Sequence, residues 1–310
     1  MIGFIGAGKV GSSLSRFFYE YYVHKGINLL ALSSIYSKHV TSANETISLL
    51  KKISCNQATA CIPKVANSIA ELVKNSDFIF ITVPDSVISF VDEELYLLGK
   101  EALKDKLLVH CSGVLSAISA FKKSSELTDT VSLHPMLAFN SKETSIDSIQ
   151  KAFFTLEGSN TGIQKIKFLL NETGIQHTVL SSDASPDDLK AKYHLASVIV
   201  SNCVVGLFSM GQDLLCECGF SKDDALKALT PLFINNANNI IAQGVTHALT
   251  GPVLRNDAIT LKKHMNCLND NDIDLYKLLS QKLYEISKNI NPQKDYNEIK
   301  NLLFSEDKNK

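Results

Sequence analysis

The spacing Gly6-x-Gly8-x-x-Gly11 constrains this chain more than any other feature, because of what stands on either side of it. Residues 2–5 are a short apolar run of the kind that forms a strand buried on both faces, and residues 10–22 continue with helical periodicity. Gly6 allows the tight turn out of the strand, Gly8 has no side chain to keep a pyrophosphate from the backbone, and Gly11 lets the helix pack closely on the strand. The helix N-terminus then offers unpaired N–H groups and a partial positive charge to phosphates. Gly6, Ala7, Gly8, Lys9, Val10 and Gly11 are therefore the candidate dinucleotide-binding residues. The plainer reading of the same stretch is a glycine-rich turn that binds nothing.

Strand-like runs follow at 28–36, 77–83, 106–109, 130–133, 152–156 and 175–180, with a short one near Cys61 and helices expected at 41–52 and 68–74. This alternation argues for an α/β fold in which residues 1–181 form a doubly wound, Rossmann-type parallel sheet. Ligands of such sheets bind outside the carboxyl ends of the strands. Those ends carry Ser37 and Lys38, then Val83, Pro84 and Asp85, then His110, Ser112 and Gly113, and finally His134. An Asp or Glu at the tip of the second strand would bind the ribose 2′-hydroxyl of NAD; the chain has Ser37 and Lys38 instead, which favours NADP while leaving NAD possible. Lys38 could equally be a solvated surface charge.

From residue 182 the pattern is helical, and residues 182–304 read as an all-helical substrate and dimerisation domain, followed by a tail at 305–310 expected to be disordered. A long helix opens at Ser185-Pro186-Asp187-Asp188 and can run to Gly219. The next should bend at Pro231; others are expected at about 256–267 and 272–290. Lys190 and His194 share a face of the long helix, with Asn202 close to it. Facing a cleft, partial burial would lower the lysine pKa enough for proton exchange near neutrality; facing water, the stripe is a plain polar edge. Arg255, Asp257, Thr260 and His264 follow the Gly251-Pro252 turn. Arg255 suits a substrate carboxylate, or pairs with Asp257.

The net charge of −1 gives no electrostatic case for nucleic acid or an anionic membrane. No leader and no apolar run of spanning length is expected, and the seven cysteines form no C-x-x-C, which fits a reduced, cytoplasmic protein without a structural metal.

As a set, Gly6-x-Gly8-x-x-Gly11, Val83-Pro84-Asp85, His110-x-Ser112-Gly113, His134-Pro135-Met136, Lys190-x-x-Tyr193-His194 with Asn202, and Gly251-Pro252-x-x-Arg255-x-Asp257-x-x-Thr260-x-x-x-His264 resemble a bacterial family of Rossmann-like proteins with a C-terminal helical domain of unknown function. Members are described as NADP- or deazaflavin-dependent oxidoreductase-like. The family is similar to the group that holds 6-phosphogluconate, β-hydroxyacid and prephenate dehydrogenases, ketopantoate reductase and pyrroline-5-carboxylate reductase. In several of these a Lys, with an Asn four residues on, handles the proton and orients substrate; Lys190 matches the Lys, and His194 stands in place of the Asn. Asn256 also departs from the glycine usual between the Arg and the Asp. The resemblance implies an NADP-linked enzyme, expected as a homodimer through the helical domain. It would move hydride between the nicotinamide and a small carbonyl, hydroxyl or imine that bears a carboxylate. Lys190, His134 and His194 are its catalytic candidates; His110, Ser112, Gly113, Asn202, Arg255, Asp257 and His264 would hold substrate. Two rival readings are a nucleotide-binding sensor without turnover, and a metal-assisted enzyme using His110, His134, His194 and His264.

Overall fold

Residues 1–54, 61–181 and 183–304 are described by the computed structural model; Cys55 and the tail at 305–310 lie outside the described residues. Strands and helices alternate as β1 (Ile2–Ile5), α1 (Lys9–Lys25), β2 (Leu32–Tyr36), α2 (Val40–Ser54), β3 (Lys64–Val65), α3 (Ile69–Lys74), β4 (Phe78–Ile81), α4 (Asp85–Leu97), α5 (Lys100–Leu103), β5 (Leu107–His110), α6 (Ala117–Ala120), β6 (Asp129–Pro135), α7 (Ile146–Lys151), β7 (Phe154–Gly158), α8 (Asn160–Thr173) and β8 (His177–Val179). Six helices follow: α9 (Pro186–Glu217), α10 (Lys222–Ala248), α11 (Pro252–Arg255), α12 (Ala258–Met265), α13 (Asp270–Ile290) and α14 (Asn297–Phe304).

The eight strands form one sheet in the order β3-β2-β1-β4-β5-β6-β7-β8. The strand order reverses between β1 and β4, and a crevice for ligand opens outside the carboxyl ends at such a point. Parallel pairing runs from β3 to β6, but β7 is antiparallel to β6, with Ser132 opposite Glu157 and His134 opposite Thr155. The sheet is therefore mostly parallel, as the strand–helix alternation argues, with β6 and β7 antiparallel. An apolar run marks a buried strand and carries no direction; the connection from Pro135 to Phe154 does not cross the sheet but folds back, and Met136 N–H donates to Phe153 O at 2.9 Å.

Alternate residues point to opposite faces of a strand, so the sheet has two cores. Phe4, Phe80, Val109, Val131, Leu133, Phe154 and Leu156 pack on one face with α1 and α8; Ile5, Ile79, Ile81 and Leu108 pack on the other with α3 and α4.

Contacts divide the chain into Met1–Cys203 and Val204–Lys310, inside α9 rather than at the 181/182 change of sequence character. The second unit has its own core of Val253, Leu261, Met265, Tyr284, Tyr296, Ile299 and Leu303. Here several expectations shift. Non-helical backbone in α10 falls at Gly244, not Pro231. The helix expected at about 256–267 is α12, which begins at Ala258; Asn256 takes a left-handed φ of 66° and separates it from the short α11, a conformation Asn tolerates, as Gly does. α14, absent from the sequence reading, supplies Ile299 and Leu303 to the core. Finally, α9 is long and apolar enough by length and composition to cross a membrane, an 18-residue stretch of it having a mean hydropathy of 1.6, contrary to the expectation of no such run.

Gly158 has φ +144°, and a Cβ there would sit 2.3 Å from the Thr130 carbonyl oxygen. We expect Gly158→Ala to cost about 2 kcal/mol in urea unfolding. Gly206→Ala, in open space within α9, should be neutral or slightly stabilising.

Candidate active site

The glycine turn is built as its spacing requires. Gly6 has φ +107°, and a Cβ on Gly11 would lie 2.2 Å from the Gly6 carbonyl oxygen. Gly8 is exposed, and a Cβ there would meet nothing within 4 Å. It begins α1 with no side-chain cap and no acid in the first turn, so the helix end stays open to an anion. Thr82, not singled out from the sequence, donates from Oγ1 to Gly6 O at 2.9 Å and ties the turn to β4. On the other side Gly6 N–H donates to Tyr36 O at 2.8 Å. Ser37 and exposed Lys38 thus leave the sheet beside the glycine turn. These features fit a dinucleotide: open backbone at the pyrophosphate position, and a base where a 2′-phosphate would lie. Ala7 is buried, and Lys9 and Val10 form the first turn of α1.

At the end of β4, Val83 and Pro84 lead into α4, and Asp85 in its first turn accepts from Ser112 Oγ at 2.9 Å. Ser112 Oγ also accepts the N–H groups of Val114 at 3.3 Å and Leu115 at 3.1 Å, while Ser112 N–H donates to His110 Nδ1 at 3.2 Å. The loop after β5 is therefore rigid, and the Ser112 hydroxyl is engaged in holding it.

Strand register explains the rest. His110 pairs with Ser132 and Ser132 with Glu157, so one row of polar side chains crosses three strands on a single face; His134 and Thr155 form the next row. Lys190, near the start of α9, lies over this face. The residue is 1% exposed, and its ammonium donates to Ser112 O at 3.0 Å and Ser132 Oγ at 2.9 Å. Burial pulls its pKa down to about 8, while Glu157, Cys111 and Asp85 pull the other way. Burial raises the Glu157 carboxyl, opposed by the Ala117 N–H that Oε2 accepts at 2.7 Å and by the Lys190 charge. The start of α9 is pinned by Asp187, which accepts from Ser116 Oγ at 2.6 Å and Ser119 Oγ at 2.7 Å.

His134 Nδ1 is 2.7 Å from the Tyr193 hydroxyl, and the Lys190 ammonium lies 5.4 Å from the Tyr193 ring centre. His134 and His194 stand edge to face, 6.2 Å between ring centres. Gly113 sits against both: a Cβ there would be 2.5 Å from His194 Nδ1 and 2.9 Å from His134 Nε2. The glycine is needed here for space. Burial first, and then the Lys190 charge, lower both His110 and His134 to about 3, so both are neutral at pH 7.

The structure thus gathers His110, Ser112, Gly113, His134, Lys190 and His194. Asn202 is exposed, hydrogen-bonded to its neighbour Ser201, and about 18 Å along α9 from Lys190. In the second unit Asp257 caps α12, accepting from Thr260 N at 3.0 Å and Thr260 Oγ1 at 2.6 Å; Arg255 is exposed, and His264 Nδ1 lies 2.7 Å from the Tyr276 hydroxyl. Those Asp257 bonds hold its carboxyl below the usual range, with Arg255 a lesser influence. Asp257 thus serves as the N-cap of α12. Sequence reasoning gave no role to Ser132, Glu157, Asp187 and Tyr193. A signal existed for some of them: Thr130, Ser132 and His134 alternate with apolar residues in β6, as Thr155 and Glu157 do in β7. Among the described residues no group of three or more His, Cys, Asp or Glu is placed to hold a metal.

Because His110 and His134 titrate near 6.5 when unfolded and near 3 when folded, the unfolded chain binds more protons between those values. Stability should fall as pH drops from about 6.5 toward 3. Denaturant midpoints at pH 7 and pH 5 test this, and His110→Gln should reduce the difference.

Residues 1–113 match the family model described as NADP oxidoreductase, coenzyme F420-dependent, and residues 152–283 match a domain of unknown function, DUF2520. No curated protein matches the chain. Among solved structures it is similar to protein TM1727 from Thermotoga maritima, at 26% identity and a TM-score of 0.69 over 94% of this chain and 99% of that one. It also shares its fold with a pyrroline-5-carboxylate reductase from Coxiella burnetii (14% identity, TM-score 0.57, 93% and 97% covered). A third likeness in fold is to an imine reductase from Myxococcus stipitatus in complex with NADP+ (16% identity, TM-score 0.53, 94% and 95% covered). The two family models thus match successive parts of the chain, the first from the glycine turn to Gly113 and the second from Ala152 to Leu283.

Proposed function

We propose that the protein is an NADP-dependent oxidoreductase acting on a small carbonyl, hydroxyl or imine substrate that bears a carboxylate. The observation that carries this reading is the buried Lys190 ammonium with neutral His134 beside it, at the carboxyl ends of β5 and β6 in the same sheet as the open glycine turn. A purely structural nucleotide-binding protein has no need to hold a lysine at a pKa of about 8 beside two neutral histidines.

Gly6, Gly8, Gly11 and the first turn of α1 would hold the pyrophosphate, and Ser37 and Lys38 the 2′-phosphate. The coenzyme, when bound, supplies or accepts the hydride. The protein's part is to exclude water, orient the substrate and move one proton. We assign that proton to Lys190 or His134, which stand in the same cluster beside Gly113. Arg255, exposed on the helical unit, is suited to a substrate carboxylate.

The chain also leaves much apolar surface bare, including Leu195, Ile199, Val200 and Val205 on α9 and Leu232, Phe233 and Ile241 on α10. Such a surface supports self-association, and we propose a homodimer covering it. Light scattering on the eluting protein should give twice the chain mass, and Val200→Glu should shift it toward monomer.

Fluorescence titration should show NADPH binding tighter than NADH, and Lys38→Glu should weaken NADPH by about tenfold with little effect on NADH. With a panel of 2-oxo acids and cyclic imines, NADPH oxidation is expected, and Lys190→Met should lower it about a hundredfold. Binding without oxidation across the panel would favour a sensor instead.

A further inference from the structure

We infer that the proton of the reaction passes at His134 Nε2, that Tyr193 is the positioning residue that makes this possible, and that Lys190 is a fixed charge which does not itself meet the substrate. This rests on the oxidoreductase reading above and narrows it.

Lys190 is sealed. Two of its N–H directions are taken by Ser112 O and Ser132 Oγ, and 1% of the residue reaches solvent. His134 differs: Nδ1 faces the Tyr193 hydroxyl, Nε2 packs beside Gly113 and the His194 ring, and the residue is only half-buried, with Nε2 not among the sealed, unpartnered nitrogens such as His110 Nε2 and His194 Nδ1. With the tyrosine O–H donating to Nδ1, the single proton of the neutral ring belongs on Nε2, the nitrogen on the Gly113 side. The groups around this imidazole are His110 from β5, Thr155 from β7, and Lys190, Tyr193 and His194 from α9. Burial and the nearby cation make imidazolium inaccessible near pH 7, so the ring cannot deliver a proton unless Nδ1 receives one at the same time.

Tyr193 provides it. In the reductive direction a bound nicotinamide coenzyme would supply the hydride to the substrate carbon, and the C=O π pair would move to oxygen. That oxygen takes the Nε2 proton, Nδ1 takes the Tyr193 hydroxyl proton, and the phenolate that remains faces the Lys190 ammonium, 5.4 Å from the ring centre, until solvent protonates Nε2 and Nδ1 returns its proton to the phenolate. The oxidative direction reverses each transfer. Charge is conserved: the substrate gains a hydride and a proton, Tyr193 becomes tyrosinate as the hydride donor gains one positive charge, and Lys190, an ammonium throughout, stabilises the phenolate.

The test needs no substrate. Long-range proton–nitrogen spectra of the ¹⁵N-labelled full chain report the tautomer of His134, assigned through His134→Gln. The expected result is one neutral form carrying its proton on Nε2 from pH 8 down to below pH 5. Tyr193→Phe should give a mixture of the two tautomers, and Lys190→Met should raise the His134 titration by at least one pH unit. A proton on Nδ1 in the wild type, or a tautomer unmoved by Tyr193→Phe, overturns the assignment, even if the lysine variant fails to fold. Once a substrate from the panel is in hand, Tyr193→Phe should lower kcat about a hundredfold with KM little changed. Failure of NADPH to bind would remove the oxidoreductase reading and leave the tautomer result standing; NADPH turnover with the wrong tautomer would do the opposite.

Discussion

Placing the Lys190 ammonium inside the protein is the demand around which the candidate site is arranged. An isolated buried cation is costly to take out of water and survives only with well-placed acceptors. Ser132 on β6 and the Ser112 carbonyl after β5 are those acceptors, and Glu157 on β7 adds a carboxylate to the same row. Each must be held at a set distance, and each belongs to a strand or to a loop with several hydrogen bonds of its own. Asp187 fixes the start of α9 against Ser116 and Ser119 and so sets where along the helix the lysine meets the sheet.

The same demand accounts for the histidines. A cation enclosed beside them, added to their own burial, keeps His110 and His134 uncharged, so each can serve as a one-sided donor or acceptor rather than as a positive group. Gly113 then has a reason to be glycine that owes nothing to backbone conformation, since two ring nitrogens occupy the space a Cβ would need. The dinucleotide end of the sheet obeys a different rule. There Gly6, Gly8 and Gly11 keep backbone exposed, and Thr82 holds the turn from the neighbouring strand.

Much of this was legible in the chain. The glycine spacing, apolar runs and strand-end polar residues located the sheet and most of the cluster, because local periodicity and turn chemistry act over a few residues. What escaped depended on distant partners. The reversal of β7 is invisible in an apolar run, and Tyr193, named only within the Lys190-x-x-Tyr193-His194 spacing, has no visible task until His134 is placed against it. Asp257 looked like part of a polar face, yet its carboxylate is spent on Thr260. Gly244 and Asn256 set the shape of the helical unit where Pro231 had seemed the obvious breaker. α14 was missed because its apolar residues acquire meaning only against Leu261 and Tyr284.

The back-folded strand β7 has an architectural price attached. Because it runs against β6, the segment between them acts as a long hairpin arm whose length sets which side chains stand opposite one another. Losing or gaining a single residue near Phe154 would slide the pairing by one and turn Glu157 toward the opposite, apolar side of the sheet. The lysine would then lack its acidic neighbour, and a carboxylate would be stranded among Leu133, Val131 and Leu107. Length variation in this arm should therefore be tolerated toward its tip, near Ser141–Thr144, and rejected close to either strand.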